Sequence, residues 1–408
     1  LALKITGECL KNIETRNKAV CLSLLRVLQS LYKEIYNKGA AKHAWGRSAM
    51  GRSLMILLMT SGLLLALLGL SLDGSISRLP TTGPRFELEP ARRPAGSGRR
   101  LPRPQPGYIP GQTYFGRNQY IEYLAGSLPI IISAPHGGYL EPEEIPDRSY
   151  GRTHRDPFSQ EYSREVGDHI LAMTCGYPHL IINRLARIKL DANREIVEAA
   201  QGDPEAEQAW LEFHAFIDAA KATVAVDFGR GHYFDFHTHI HSQEWVEIGM
   251  LLRSQDLDRS DQALNDPVYF DRSSIKSLAY SPGVYFPAVV RGGASMGGLL
   301  QARGFDSVPS PAQPHPNGRP YFMGGYNTVR HGSRDSGTID GSQIETHPDM
   351  IADAVRAHYS LALAESILDF YEAHYGLTLR DSQCQTDEPD GPPDNPTYII
   401  YLPIIVGG

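Results

Sequence analysis

Three stretches of this chain end an apolar run on a side chain able to bind a metal or move a proton. In PIIISAPHGG (residues 129–138), Ile130, Ile131 and Ile132 read as a buried strand, and His136 stands where that strand gives way to a loop. In HYFDFHTHIHSQEW (232–245), Tyr233 to Phe236 reads as a strand and His237, His239 and His241 alternate after Asp235. In GTIDGSQIETHPDM (337–350), Glu345 closes a third strand-like run. Ligands of open α/β sheets bind outside the carboxyl ends of strands, so the three positions belong together. Imidazoles from two strand ends make a start on a zinc site. Asp235, two residues before His237, can accept the second ring N–H of such a ligand and fix its tautomer. A carboxylate at the position of Glu345 can serve as a general base. Taken singly, each residue has a plainer reading: a hydrogen-bonded core histidine, a surface histidine patch, a helix-entry acid.

A fourth stretch, HLIINRLARIKLDANRE (179–195), begins as a short apolar strand and then crowds Arg184, Arg187, Lys189, Asp191, Asn193 and Arg194 among Leu185, Ile188 and Leu190. Guanidinium groups near a sheet end suit two-pronged capture of a carboxylate. Asp156 precedes a helical pattern in which Tyr162, Val166, Ile170 and Met173 recur every three or four residues, so a helix cap is one account of it. Residues 205–224 carry Ala206, Trp210, Phe213, Ile217 and Ala220 on one helical face, with His214 as a structural residue. A further helix is expected over about 348–375.

These elements fit within a longer chain of 408 residues whose ends differ in character. Acidic residues outnumber basic ones, 46 to 39, so general affinity for nucleic acid is not expected. The cysteines at 9, 21, 175 and 384 form neither a CxxC pair nor a dense framework, and reduced thiols are the expectation. Residues 1–49 are an extension of unclear status. Residues 50–74 contain an uncharged run, 54–72, that reads as a signal anchor or signal peptide with membrane contact, placing the protein on a membrane or in the secretory pathway. Residues 75–107 form a Pro/Arg/Gly-rich linker, 108–380 the globular domain, and 381–408 an acidic, disordered-looking tail whose apolar end could be an edge strand.

The ordered series SAPHGG, RLARIKLDANRE, DFHTH, GGYNTVRHGS and QIE resembles the N-formylglutamate amidohydrolase family over about residues 125–370. That family is similar in turn to zinc carboxypeptidases and acylamino-acid deacylases. The resemblance implies an α/β three-layer sandwich around a mixed sheet, of the zinc-carboxypeptidase-like (phosphorylase/hydrolase-like) kind. It makes His136 and His237 zinc ligands and the acid of HRDPFSQE the third, Asp156 first and Glu161 as the alternative. Asn193 and Arg194 match the pair that holds the substrate carboxylate, Arg187 could assist and polarise the amide carbonyl, and Glu345 matches the general base. Zinc carboxypeptidases place an acid three residues after the first histidine. Here that residue is Tyr139, and Glu141 is the nearest acid beyond it. The expected activity is zinc-dependent hydrolysis of an amide in a small carboxylate-bearing N-acyl substrate. The alternatives are a metallopeptidase or deacylase for larger amides, or a non-catalytic, membrane-displayed binding domain.

Overall fold

The computed structural model describes residues 107–384 and the two-residue strand at 399–400. One mixed sheet of nine strands organises them, in the spatial order β7-β6-β8-β5-β3-β4-β2-β1-β9. In chain order these are β1 (Thr113–Phe115), β2 (Ile121–Leu124), β3 (Ile130–Ala134), β4 (His179–Asn183), β5 (Gly231–Thr238), β6 (Val246–Gly249), β7 (Ser307–Val308), β8 (Ile339–Thr346) and β9 (Ile399–Ile400). The central strands β4, β3, β5 and β8 run parallel, while β2 and β6 flank them antiparallel. Four helices support or border the strand ends: α1 (Ser159–Thr174), α2 (Pro204–Asp227), α3 (Tyr326–His331) and α4 (Arg356–Tyr375).

Successive strand residues face opposite ways, and both faces of this sheet are apolar. Ile130, Ile132, Phe234 and Phe236 join Tyr162, Val166 and Ile170 of α1 and Leu363 and Ile367 of α4 in one cluster. Ile131, Ile181 and Tyr233 join Phe213, Ile217 and Ala220 of α2 in a second. The near-continuous Ile runs of β3 and β4 follow from this, because strands covered on both sides have no solvent face to keep polar. Each fully buried Ile contributes roughly 1.5–3 kcal/mol. The helix α2 starts where Asp203 accepts a hydrogen bond from the Ala206 N–H and Pro204 fills the first turn. Gly376, at φ 66°, ends α4 in the left-handed conformation that glycine adopts without strain.

Three expectations change here. No helix among the described residues is long and apolar enough to cross a membrane, so the expected membrane contact has no counterpart in them. The 24-residue α2 is long enough, but it carries Glu205, Glu207, Glu212, Asp218, Lys221 and Asp227. The run at 54–72 lies outside the described residues, as do residues 1–49 and the linker up to residue 106. Cys175 and Cys384 are not free thiols but form a disulfide across 209 residues of sequence. That bond, with the Asp381 N–H donating to the Met173 carbonyl, ties the start of the tail to the end of α1. The expected single helix over 348–375 is a short 3-10 turn, Pro348–Met350, followed by α4. The apolar end of the tail supplies β9, which pairs in parallel with β1 at the edge of the sheet.

Asp340, near the start of β8, is fully buried and accepts hydrogen bonds from Ser333 Oγ, the Leu278 N–H and Tyr375 OH. Burial nevertheless pushes its carboxyl up to about 6, against 3.8 in an open chain. Between those values the folded state holds a proton that the unfolded chain has lost. The stabilising contribution is therefore complete below about pH 4 and is lost as pH rises through 6, by up to about 3 kcal/mol. Denaturant melts at pH 4.5 and 7 should show this component in the wild type and its absence in Asp340→Asn.

Candidate metal centre

Parallel strands end on the same edge, and the chemistry gathers there. His136 follows β3 by two residues, Asp191 lies in the loop after β4, His237 is the penultimate residue of β5, and Glu345 is the penultimate residue of β8. The register pairs His237 directly with Glu345. The loop carrying His136 must also run close against its neighbours. A Cβ on Gly138 would lie 2.2 Å from the Leu185 carbonyl oxygen, so that position requires glycine.

His136, Asp156 and His237 converge, all buried. The Nδ1 atoms of the two imidazoles are 3.1 Å apart, and Asp156 Oδ2 lies 3.3 Å from His136 Nδ1 and 2.9 Å from His237 Nδ1. The opposite nitrogen of each ring meets a carboxylate. His136 Nε2 donates to Asp191 Oδ1 at 2.5 Å, and His237 Nε2 donates to Asp235 Oδ2 at 2.9 Å. With those protons held at Nε2, both Nδ1 atoms present lone pairs toward each other and toward Asp156. Three electron-pair donors at such distances repel unless a proton or a metal ion lies among them. The donor set of two imidazoles and one carboxylate, with an acid behind each imidazole, fits a divalent metal such as zinc.

Further residues hold the carboxylates. Ser133 Oγ at 2.6 Å, Tyr233 OH at 3.0 Å and Asn327 Nδ2 at 3.3 Å donate to Asp235 Oδ1. Arg187 bridges the other two, Nε to Asp191 Oδ2 at 3.0 Å and Nη1 to Asp156 Oδ1 at 3.1 Å. Burial alone would raise the Asp156 carboxyl, but His136 and His237 hold it well below the usual carboxylate range. Burial likewise opposes a proton on His237, yet Asp235 and Asp156 push that imidazole well above its ordinary value. The carboxylates around this pocket thus favour positive charge within it.

The other sequence candidates fall around this centre. Asp156 makes no side-chain cap on α1, whose N-cap is Phe158, so its carboxylate is committed to the histidines and Arg187. Glu161 instead accepts from Tyr139 OH at a more open position, and Glu141 is exposed. Asn193 is buried 3.2 Å from His237, with its Oδ1 taking the Asn327 N–H. Gly325 precedes α3 against this amide, where a Cβ would lie 2.6 Å from Asn193 Nδ2. Arg194 is partly exposed and ion-paired to Glu198 at 3.3 Å. Glu345 is buried, and Gln343 Nε2 donates to its Oε1 at 2.6 Å. Burial raises the Glu345 carboxyl to about 8, with Asp156 and Glu247 adding to the effect and His237 opposing it. His214 packs inside α2's apolar face with its Nδ1 2.9 Å from His331 Nε2.

Sequence reasoning did not find the roles of Asp191, Asn327, Gln343 and Glu247. Asp191 lies within the RLARIKLDANRE series, but its partner His136 is 55 residues away. The alternation of Gln343 with Glu345 was the one local signal that could have linked that pair.

No protein-family model matches the chain, and no curated protein matches it by sequence. Among solved structures it is similar to N-formylglutamate amidohydrolase from Ralstonia eutropha JMP134, at 12% identity and TM-score 0.41, over 63% of this chain and 99% of that one. It is also similar to a gene product of Agrobacterium tumefaciens, at 13% identity and TM-score 0.37, over 62% and 95% of the two chains. A third likeness is to a Shewanella amazonensis SB2B protein assigned provisionally as a metallopeptidase, at 14% identity and TM-score 0.30, over 62% and 81%.

Loss of a ligand and loss of its supporting acid should differ in degree. His136→Ala and His237→Ala should abolish metal retention at this centre in the full chain. Asp191→Asn should weaken it by about 10–100-fold, as removal of a ligand's hydrogen-bond partner does. Competition against a fluorescent chelator reads both, and an Asp191→Asn protein with wild-type affinity would contradict the assignment.

Proposed function

We propose that the chain is a zinc-dependent amidohydrolase acting on a small N-acyl substrate that carries a carboxylate. The observation that supports it best is the convergence of His136, His237 and Asp156 beside Glu345, with each imidazole backed by its own acid. The apolar clusters on both faces of the sheet are consistent with the three-layer, zinc-carboxypeptidase-like sandwich expected for residues 108–380.

Zinc, when bound by these three residues, would supply Lewis acidity toward water and the amide carbonyl. Glu345 accepts a proton from the attacking water and delivers it to the leaving nitrogen. A carboxyl whose burial moves its proton affinity toward neutrality is suited to both transfers. Gln343 keeps one Glu345 oxygen occupied and leaves the other for the proton. Arg187, with its guanidinium engaged by Asp156 and Asp191, acts here as a positioning residue rather than as the group that polarises the carbonyl. Asn193 sets the wall against His237, and Arg194 exchanges its partner Glu198 for the substrate carboxylate.

Two variants separate these roles in steady-state kinetics on a panel of N-acyl amino acids, N-formylglutamate among them. Glu345→Gln keeps the shape and the hydrogen bond but not the basicity, so kcat should fall by about 10²–10⁴ at unchanged zinc content. Arg194→Lys keeps charge but loses the planar fork, so KM for acidic substrates should rise while kcat holds. Full activity in Glu345→Gln would end this reading.

A further inference from the structure

The alternating histidines after Asp235 do not all serve the first centre. β5 ends at Thr238, and beyond it His239 and His241 turn toward Glu247 of β6. One donor atom from each of the three lies within 4.8 Å of the others. His239 and Glu247 are buried, and His241 is nearly so.

The cluster has the features of a ligand set. His239 Nε2 donates to the Trp245 carbonyl at 2.9 Å, which fixes its tautomer and leaves the Nδ1 lone pair facing inward. Trp245 Nε1 at 3.0 Å and the Phe322 N–H at 2.7 Å donate to the two oxygens of Glu247, orienting a carboxylate with no exposed surface. His241 Nδ1–H donates to Glu247 Oε1 at 2.7 Å, a proton that a cation would replace, and the Phe322 ring stacks on the His241 ring at 4.5 Å between centroids. A second competing donor is present. The His241 backbone N–H reaches His239 Nδ1 at 3.2 Å, and a cation would have to displace it. The His347 ring, 5.6 Å from that of His239, borders the same space.

We propose that His239, His241 and Glu247 form a second, separate site for a borderline divalent ion of the zinc, cobalt or nickel class. Two imidazoles and one carboxylate suit those ions and not calcium or magnesium, which are bound through oxygen. The site is built from this chain's own residues and does not depend on the hydrolytic reading. It lies next to the first centre, because Glu247 pairs with Glu345 across β6 and β8, and Glu345 pairs with His237 across β8 and β5. Opposed side chains on paired strands are about 5 Å apart at Cβ, so an ion on Glu247 would sit one strand away from the proposed base.

The test measures bound metal per chain on the full-length protein, stripped with a chelator, reloaded with zinc alone and dialysed. Wild type should retain about two zinc ions, and His237→Ala and His241→Ala about one each, as expected for independent mononuclear sites. The double variant should retain none. Calcium or magnesium should not protect the second site from zinc. If wild type retains one ion that His237→Ala releases and His241→Ala does not, the second site is refuted while the first stands. If His241→Ala alone releases that one ion, the second site stands and the first falls. His239→Gln gives an independent variant should His241→Ala lose its thermal unfolding transition, and full retention of both ions by a folded His239→Gln also refutes the proposal.

Discussion

The centre depends on one electrostatic constraint: three lone pairs, on His136 Nδ1, His237 Nδ1 and Asp156 Oδ2, are forced together in a buried space. Such a group is unfavourable unless a proton or a metal ion lies among it, since the Thr238 N–H, 3.4 Å from Asp156 Oδ2, relieves the repulsion only weakly. Asp191 and Asp235 keep the two ring protons on the far side, and Arg187 then ties Asp191 to Asp156. Buried carboxylates therefore exceed the guanidinium charge beside them. With no metal, a proton on His237 takes up part of the difference, which is why that imidazole is pushed so high against its burial. The same attraction would be available to a divalent ion.

Such a constraint needs rigid support, and the sheet supplies it. Four parallel strands end along one edge, so residues far apart in sequence reach the same point with their directions fixed by β-pairing. Tyr233, Asp235 and His237 share one face of β5, so the strand carries the candidate ligand, the acid behind it and a donor to that acid in a single period-two series. Phe234 and Phe236 on the other face pack against α1 and α4 and hold the strand in place. A one-residue slip would reverse these roles and place the acid and imidazole in the apolar core.

How much of this was legible in the sequence depends on the same geometry. His136, His237 and Glu345 could be singled out because each terminates a strand whose apolar pattern is local. Asp235 could be assigned its place behind His237 because two residues separate them. Asp156 remained ambiguous, since an acid before a helix is an ordinary cap, and only the packed structure turns its carboxylate away from α1. Asp191 behind His136, Asn327 against Asp235 and the Cys175–Cys384 bond span 55, 92 and 209 residues. Contacts at those separations are set by strand order, which no local periodicity records. The partners of the Arg187 guanidinium were not legible either, because a basic residue beside a strand end gives no indication of which acids will reach it first.

The division between strand and loop also bears on how the site would discriminate among substrates. Every group proposed to handle protons or metal at the first centre stands on a strand end or is held by several buried hydrogen bonds, so its position tolerates little change. Arg194 differs. It sits in the loop after β4, partly exposed, with a bond from Nη1 to the Asn193 carbonyl and an ion pair to Glu198 that, on the proposed reading, a substrate carboxylate would replace. An exposed pair of this kind contributes little to stability, about 0–1 kcal/mol, so exchanging it costs the fold almost nothing. On the proposed reading, the groups that would break the amide are thereby separated from the group that would select its acid, and substrate preference could vary along the loop without disturbing the lone pairs at the sheet edge.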